Sequence, residues 1–180
     1  YNIKLNKIRF LDKNKKIVLI CPSIGDELNI LSYLKKSVNF NSRFILSPHP
    51  TFKKKIIKKY LQELKDKCHI EVYNNVSTFD LLSISDLLIC GFSTVAFEAL
   101  FFNVKSIRIA NSEHPPIFSL NESLPLVANI KDLKKTLNGN SFLKTKTKTK
   151  TINKLKSDYF YRLDNKSYLR FWNFVKEQKI

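Results

Sequence analysis

The sequence has no methionine and no uninterrupted apolar run of the length that a membrane span requires. A transmembrane helix needs about 20 consecutive apolar residues, so no such helix is predicted. The chain begins at Tyr1 with a polar segment that lacks the layout of a signal peptide. Because methionine is missing at the start and throughout, we expect the 180 residues to be a fragment of a longer protein.

Cysteine is also scarce, with three residues at widely separated positions. Their odd number and spacing match neither a disulfide framework nor the ligand pattern of a zinc site. Cys21 and Cys90 fall inside apolar segments, where cysteine usually behaves as a small buried hydrophobic residue. The cysteines therefore indicate a reducing compartment, and we expect a cytoplasmic protein with no metal site and no cofactor.

Acidic residues are outnumbered, since 15 Asp and Glu accompany 32 Lys and Arg and leave a net charge of +17. A field of this sign attracts phosphates, nucleic acid or an anionic membrane surface. Many lysines fall on predicted helix faces, where a solvated surface is the plainer interpretation. No aromatic-and-glycine RNA-binding signature or helix-turn-helix layout is present, so nucleic acid is not the expected partner. The inner face of the cytoplasmic membrane is the expected anionic surface.

The remaining composition is that of one globular domain, predicted at residues 16–180 after a lysine-rich linker at residues 1–15. Apolar segments alternate with helical patterns, which predicts an α/β fold. The expected architecture is a doubly wound, Rossmann-like parallel sheet of about six strands with right-handed crossovers. The predicted strands are residues 16–21, 43–47, 70–73, 87–90, 105–110 and 125–128.

Helices are predicted between these strands, the first after a loop at residues 22–27 and the second at residues 52–64. Further helices are expected to begin at residues 77–80 and at Ser93, and the last to end near Gly139. Leu28, Leu31 and Leu34 are the expected buried positions of the first helix, and Thr51 is the expected cap of the second.

Two segments near the C-terminus have their own patterns. Residues 144–150 alternate lysine and threonine, so neither face could be buried and an exposed linker is predicted. Residues 159–163 and 167–179 are predicted to be helical, with an apolar stripe along the second segment. That stripe would pack on its own domain or on a neighbouring one.

Residues 86–100 form the stretch around which the chain is organised. Four apolar residues are followed by Gly91 and then by Ser93 and Thr94 before a second apolar run, a pattern typical of a strand, a tight turn and a helix. Ser93 is a suitable N-cap whose neighbouring amides could hold a phosphate. Glu98 lies on the helix face of Thr94, although an acid near a helix start also stabilises the helix without any ligand.

A second polar turn follows the predicted strand at residues 43–47, where His49 stands between Pro48 and Pro50. A histidine beside proline is commonly only a turn residue. Ligands of parallel sheets, however, gather at the carboxyl ends of the strands, where this turn, the turn at Ser93 and the loop of Ser23 and Gly25 should meet. Together these turns predict a site for a nucleotide-activated sugar.

The pair of motifs Ser47-Pro-His-Pro and Gly91-Phe-Ser-Thr-Val-Ala-Phe-Glu resembles the C-terminal, donor-binding half of GT-B glycosyltransferases. The nearest groups are enzymes of capsule and surface-polysaccharide synthesis: bacterial sialyltransferases, Kdo transferases and CDP-glycerol glycerophosphotransferases. Residues 161–167 are similar to a segment before the last helix of these enzymes. One departure is Gly91-Phe92, where CDP-glycerol enzymes usually carry Asp-Tyr.

The resemblance implies a role for each matching residue. His49 would contact the donor phosphate or assist the leaving group, and Pro50 completes its motif. Ser93 and Thr94, after the turn at Gly91, would bind the phosphate, and Glu98 would bind ribose hydroxyls. The implied partners are a nucleotide-sugar donor and an acceptor-binding N-terminal domain, and no metal is implied because imidazole and amides can stabilise the leaving phosphate.

Two rival interpretations stay open. A domain like that of UDP-N-acetylglucosamine 2-epimerases would need more acid and base residues, for which Asp26, Glu27 and Glu113 are the candidates. For Asp26 and Glu27, capping of the first helix is the simpler alternative. A lysine-rich nucleic-acid-binding domain without catalysis is the second rival.

Overall fold

The computed structural model describes residues 16–37, 42–109, 126–127 and 129–138, together with six positions between Lys166 and Glu177. The chain divides into two compact units, residues 1–145 and 146–180. In the second unit, Leu169 and Arg170 are helical, and the Arg170 N–H donates to the carbonyl of Lys166. Within the described part of the chain, every helix is too short or too polar to cross a bilayer.

The first unit alternates strands and helices along its described length. The strands are β1 (Lys16–Cys21), β2 (Ser42–Leu46), β3 (His69–Val72), β4 (Leu87–Cys90), β5 (Lys105–Ile109) and β6 (Leu126–Val127). The helices are α1 (Glu27–Ser37), α2 (Lys54–Leu64), α3 (Thr78–Leu82), α4 (Val95–Phe101) and α5 (Ile130–Asn138). Each predicted strand is present; its ends agree with the prediction to within one residue, except that the predicted ends at residues 110, 125 and 128 lie outside the described residues.

The six strands form one parallel sheet in the order β3-β2-β1-β4-β5-β6. The chain builds one half of the sheet outward from β1, returns to the centre, and builds the other half from β4. Right-handed crossovers then place α1 and α2 on one face of the sheet and α4 on the other, while α5, which follows β6, packs on the face of α1 and α2. This confirms the predicted doubly wound, Rossmann-like fold, and its direction of growth reverses between β1 and β4.

The main hydrophobic core lies between one face of the sheet and α1, α2 and α5. Tyr60 is its largest fully buried side chain, and the Tyr60 hydroxyl donates to the carbonyl of Glu27. That bond ties the interior of α2 to the first residue of α1. The buried members of the core are Val18, Ile20, Ile30, Leu31, Leu34, Phe44, Leu46, Tyr60, Leu64, Cys68, Leu87, Ile89, Ile107, Ile109, Leu133 and Leu137.

The opposite face of the sheet carries a polar network at its β3 edge. Arg43 on β2 is 4% exposed and binds the Glu71 carboxylate of β3 at 2.5 Å. His69 and Tyr73 also contact Glu71, at 2.8 and 2.6 Å. Partial burial alone would raise the pKa of Glu71, but the hydrogen bonds from Tyr73, His69 and Arg43 outweigh it and lower that pKa. The buried guanidinium is thus paired, as buried charges need to be.

Three local predictions were wrong. Leu28 is 53% exposed, and Ile30 takes the buried position with Leu31 and Leu34. Lys53 is the N-cap residue of α2, whereas the Thr51 hydroxyl bonds to the ring of His49. The N-cap of α4 is Thr94 and not Ser93, although the Ser93 hydroxyl still accepts from the N–H of Val95. The predictions for residues 1–15, Glu113 and residues 139–165 lie outside the described residues.

Candidate functional site

The candidate site lies where the carboxyl ends of β1, β2 and β4 come side by side. β1 stands between the other two strands, with Ile20 in register with Leu46 and Cys21 in register with Cys90. The loop after β1, the His49 turn after β2 and the Ser93 turn after β4 therefore leave the sheet at one edge. The reversal point of a doubly wound sheet falls between β1 and β4, and such points are the usual ligand crevices.

Asp26 ties the first loop to the third. Its side chain is fully buried, and Oδ1 accepts the N–H of Ser23 at 2.7 Å. The other oxygen, Oδ2, accepts the N–H of Phe92 at 3.0 Å across a separation of 66 residues. Burial, followed by the charge of Asp26, raises the pKa of Cys90 to about 12. One carboxylate therefore fixes the spacing of the two loops that border the crevice.

Gly91 is the residue that makes room for this carboxylate. A Cβ atom at Gly91 would lie 1.8 Å from Asp26 Oδ2 and 2.5 Å from its Cγ. Real Cβ contacts are essentially never shorter than 3.0 Å, so any side chain at this position would collide with Asp26. The close approach of Asp26 therefore explains why residue 91 is a glycine. The predicted turn at this position contacts the loop that follows β1.

The turn after Gly91 presents hydroxyls and amides. Ser93 is partly buried and Thr94 is exposed. The Ser93 Oγ accepts the N–H of Val95 at 3.3 Å, and the carbonyls of Ser93 and Thr94 accept from Ala96 and Phe97. In the described part of the chain, no acceptor pairs with the N–H of Ser93 or Thr94. These two amides and two hydroxyls are available to a ligand.

Glu98 is an intermediate-exposure carboxylate one turn further along α4. Desolvation raises its pKa, and no hydrogen-bond donor or cation among the described residues offsets that effect. Glu98 is near enough to the end of β1 that its charge, after burial and the Cys90 thiol, helps to raise the pKa of Cys21. A carboxylate left without partners beside a crevice is suited to accept hydrogen bonds from a ligand's hydroxyl groups.

His49 is exposed and bonded within its own turn. Its Nδ1 lies 2.8 Å from Thr51 Oγ1, and its ring centroid lies 6.3 Å from that of Phe52. The His49 carbonyl accepts the N–H of Phe52 at 2.9 Å. These contacts orient the imidazole so that Nδ1 faces Thr51. Nε2 then points away from Thr51, because the bonding directions of the two ring nitrogens diverge.

The other predicted site residues lie in the same turns. Ser23 is partly buried, while Gly25 and Pro50 are exposed. Gly25 has a φ of 89°, the region that favours glycine, and its N–H donates to Glu27 Oε2 at 2.6 Å. Glu27 is thereby engaged in its own loop. The Ser47 N–H donates to the carbonyl of Ile20 at 2.9 Å and connects the base of the His49 turn to β1.

The structure thus brings Ser23 and Gly91 together through Asp26, and the charge of Glu98 acts on Cys21 at the end of β1. It shows no direct bond between His49 and the other two turns among the described residues. Sequence reasoning assigned Asp26 a cap or an open position in the crevice, and missed its bond to Phe92. No local pattern signals a contact between residues that are 66 positions apart. The sequence showed only that an aspartate follows β1 and that a glycine follows β4, the strand beside it.

A separate open cavity of about 340 Å³ lies at the opposite edge of the sheet, between α2 and the start of β3. It is lined by Leu61, Gln62, Lys65, Cys68, His69 and Ile70. Burial raises the pKa of Cys68 to about 11, so its thiol is unreactive at neutral pH. Among the described residues, no group of three acidic, histidine or cysteine side chains could hold a metal ion.

The comparisons with known proteins agree on the fold. Neither a protein-family model nor a curated protein matches the chain. Among solved structures, it is similar to the wall teichoic acid polymerase TagF in a histidine-to-asparagine variant soaked with CDPG, with a TM-score of 0.67 and 22% identity. The similarity covers 98% of this chain and 46% of TagF.

Two UDP-GlcNAc 2-epimerase structures are similar as well. The Neisseria meningitidis enzyme bound to UDP-GlcNAc has a TM-score of 0.50 at 14% identity, over 84% of this chain and 42% of the other. A putative enzyme from Listeria monocytogenes gives 0.55 at 14% identity, over 86% and 42%. The chain therefore spans less than half the length of these neighbours, and it shares with part of each a GT-B-type Rossmann-like fold.

Proposed function

We propose that this chain is the donor-binding domain of a glycosyltransferase that uses a nucleotide-activated sugar in surface-polysaccharide synthesis. The observation that carries the proposal is the meeting of three polar turns at the reversal point of the sheet. Two of these turns are locked together by Asp26, and the Ser93 turn offers two hydroxyls and two amides that pair with no acceptor in the described part of the chain. Of the solved structures with this fold, the TagF variant was soaked with CDPG and the Neisseria meningitidis epimerase is bound to UDP-GlcNAc. A nucleotide-activated donor, as proposed here, belongs to the same chemical class as these ligands.

The proposed division of roles follows from the chemistry of each group. Ser93 and Thr94 donate hydrogen bonds to the donor phosphates, and Glu98 accepts from the ribose hydroxyls. His49 stabilises or protonates the leaving phosphate, whose negative charge grows as the glycosidic bond to the donor breaks. Ser23, Gly25, Pro50 and Gly91 shape the backbone of the crevice. The acceptor, its base and its binding site belong to a second domain in this proposal.

The epimerase alternative is less well supported. It called for extra acid and base residues, for which Asp26 and Glu27 were the described candidates. Asp26 has no exposed surface, and both of its carboxylate oxygens accept main-chain N–H groups. Glu27 is bonded to Gly25. The structural likeness to the epimerases is also weaker than the likeness to TagF.

Calorimetry with CMP, CDP, UMP and UDP tests the proposal directly. We expect at least one of these nucleotides to bind with a dissociation constant below the millimolar range, and the 2′-deoxy form to bind more weakly. If all four are silent at millimolar concentration, the proposal is wrong. Equal binding of ribonucleotide and deoxyribonucleotide would remove Glu98 from the ribose site.

Ser77 provides a matched control for Ser93. Each hydroxyl accepts the N–H two residues ahead of it, at 3.2 Å to Phe79 and 3.3 Å to Val95. Ser77→Ala and Ser93→Ala should therefore lower stability alike, by about 1 kcal/mol. Only Ser93→Ala should weaken nucleotide binding, by about tenfold for a lost hydrogen bond to a charged group. An equal effect of both changes on affinity would contradict the phosphate role of Ser93.

A further inference from the structure

Thr51 contacts the imidazole of His49 through two groups. Its Oγ1 lies 2.8 Å from His49 Nδ1, and its main-chain N–H donates to the same nitrogen at 3.3 Å. Pro50, between the two residues, has no N–H, so Thr51 carries the first main-chain donor after the histidine. Both contacts therefore fall on one nitrogen of the ring.

The main-chain N–H decides where a neutral His49 ring carries its proton. In neutral imidazole, one nitrogen carries a proton and the other accepts a hydrogen bond. A hydroxyl group can pair with either kind of nitrogen, because it both donates and accepts. A main-chain N–H can only donate, so Nδ1 is the acceptor and the proton lies on Nε2. The Thr51 hydroxyl then also donates to Nδ1, at the shorter of the two distances.

The same turn determines which ring nitrogen a ligand can reach. Nδ1 is engaged by Thr51, and Nε2 points away from it. The ring of Phe52 lies beside the imidazole, at 6.3 Å between centroids and an interplanar angle of 43°. The bond from the Phe52 N–H to the His49 carbonyl closes the turn. The exposed imidazole is thus held by its neighbours in the chain, with its Nε2–H group open to a ligand.

We propose that Thr51 is a positioning residue that holds His49 in the Nε2–H tautomer, so that the neutral imidazole donates a hydrogen bond to the donor phosphate. A neutral N–H group can stabilise the growing charge of a leaving phosphate without transferring its proton. Nε2 already carries a proton and cannot take one from the acceptor, so the acceptor's base lies elsewhere. The inference rests on the proposed function for the identity of the ligand, whereas the tautomer does not depend on it.

The ring nitrogens of His49 report the tautomer. Long-range proton–nitrogen correlation spectra of the nitrogen-15-labelled chain at about pH 8, where imidazole is neutral, separate protonated from unprotonated ring nitrogens. We expect one tautomer for His49, with the proton on Nε2. A mixture of tautomers, or a proton on Nδ1, would overturn the proposal. His69 is an internal reference, because its Nε2 lies 2.8 Å from the Glu71 carboxylate and must donate to it.

Two substitutions test the hydroxyl of Thr51. Thr51→Val keeps the shape of the side chain and should move the Nδ1 signal of His49 toward that of free histidine, whereas Thr51→Ser should leave it near the wild-type position. Ser83→Ala is the matched control, since it also removes an exposed, hydrogen-bonded hydroxyl, which donates to the carbonyl of Asp80 at 2.7 Å. This control should move no signal of His49. An unchanged Nδ1 signal in Thr51→Val would overturn the proposal.

Turnover of the enzyme that carries this chain tests whether Thr51 acts through His49. Thr51→Val should lower kcat about two- to tenfold, the contribution of one hydrogen bond, and Thr51→Ser should restore most of it. In a His49→Ala background, Thr51→Val should have no further effect, because a positioning residue acts only through the side chain that it holds. The same loss in both backgrounds would show that Thr51 acts independently of His49, and the proposal would be wrong.

A nucleotide titration separates this inference from the proposed function. Addition of CDP or UDP, whichever binds by calorimetry, should shift the Nε2 signal of His49 and leave the signals of His69 in place. If a nucleotide binds without any shift at Nε2, the donor-binding function stands and the phosphate contact of His49 is wrong. If neither nucleotide binds, the proposed function fails and the phosphate contact fails with it, while the spectrum of the free chain still decides the tautomer.

Discussion

The contact between Gly91 and Asp26 gives the sharpest prediction for the fold of the site. In Gly91→Ala, the new Cβ would stand 1.8 Å from Asp26 Oδ2, against a practical limit of 3.0 Å, so one group must move by at least 1.2 Å. Asp26 is fully buried on a short side chain, and it cannot rotate into solvent without leaving both of its N–H donors. The substitution should therefore break the bonds to Ser23 and Phe92.

The size of the effect follows from those two bonds. A hydrogen bond to a charged group contributes about 1.5–3 kcal/mol, so losing both lowers the free energy of unfolding by about 3–6 kcal/mol. A domain of this kind has about 5–15 kcal/mol in total, which leaves Gly91→Ala weakly stable. Asp26→Ala should lower stability by a similar amount, because it removes the same acceptor.

The double variant shows whether Gly91→Ala is destabilising because of the collision with Asp26 or because residue 91 loses the backbone freedom of glycine. With Asp26→Ala in place, the contacts of 1.8 and 2.5 Å at residue 91 are removed, and the remaining contact of 3.0 Å to the Cβ atom of residue 26 requires a shift of only a few tenths of an ångström. Gly91 also does not require the positive φ that Gly25 adopts. Adding Gly91→Ala should then change stability by less than about 1 kcal/mol. Gly25→Ala is the control: its strain arises from a φ of 89° and should persist beside Asp26→Ala.

Urea unfolding of the wild type, the single variants and the double variant measures these free energies. The expected coupling between Asp26→Ala and Gly91→Ala is about 3 kcal/mol or more, far above the ~0.5 kcal/mol scatter of independent sites. If the two changes are additive within that scatter, the carboxylate does not contact residue 91, and the account of how the two loops are joined is wrong.

Three further predictions concern single side chains. His49→Ala should lower turnover of the enzyme that carries this chain about a hundredfold or more, with little change in melting temperature because His49 is exposed; equal loss of both would support a structural role. Since desolvation raises the pKa of Glu98, the folded chain binds its proton more tightly than the unfolded chain, and stability falls as pH rises through that pKa. Glu98→Gln should therefore raise the melting temperature at pH about 8 but not near pH 4, and an unchanged difference across this range would contradict the assignment. The pKa of Glu71 is lowered in the fold, so its contribution is present above about pH 4.5 and lost as pH falls. Glu71→Gln removes the carboxylate that pairs with Arg43 and should cost about 1.5–3 kcal/mol at neutral pH and much less in acid, as measured by urea unfolding.

The layout of the sheet could be predicted because its signals are local. Each strand is a short apolar run bounded by polar residues, and each crossover is long enough for a helix, so alternation alone gives a parallel doubly wound sheet. The strands β1 and β4 were placed with the ends that the structure shows. Handedness and chain order then bring the turns of Ser23, His49 and Ser93 to one edge without any knowledge of side-chain contacts.

The failures came from contacts that helical periodicity does not encode. Leu28 has the spacing of a buried residue, but it lies in the first turn of α1 and is 53% exposed. Thr51 is a residue type that often caps helices, yet its hydroxyl is hydrogen-bonded to the ring of His49. The pairing of Arg43 with Glu71 joins two strands through a register that only the folded sheet defines.

The two carboxylates near the reversal point show what the structure adds to the sequence. From the sequence, Asp26 and Glu98 were both acids near a helix start, each with a ligand role open beside a structural one, which was capping for Asp26 and stabilisation of the helix dipole for Glu98. In the fold, Asp26 is fully buried and accepts two main-chain N–H groups, so its hydrogen-bonding capacity serves the two loops. Glu98 has a raised pKa and no such partners among the described residues. A desolvated carboxylate without donors lowers stability, and a ligand that supplies two hydroxyl donors would offset that loss. We therefore expect Asp26 to determine the shape of the crevice and Glu98 to determine whether a ribose binds in it.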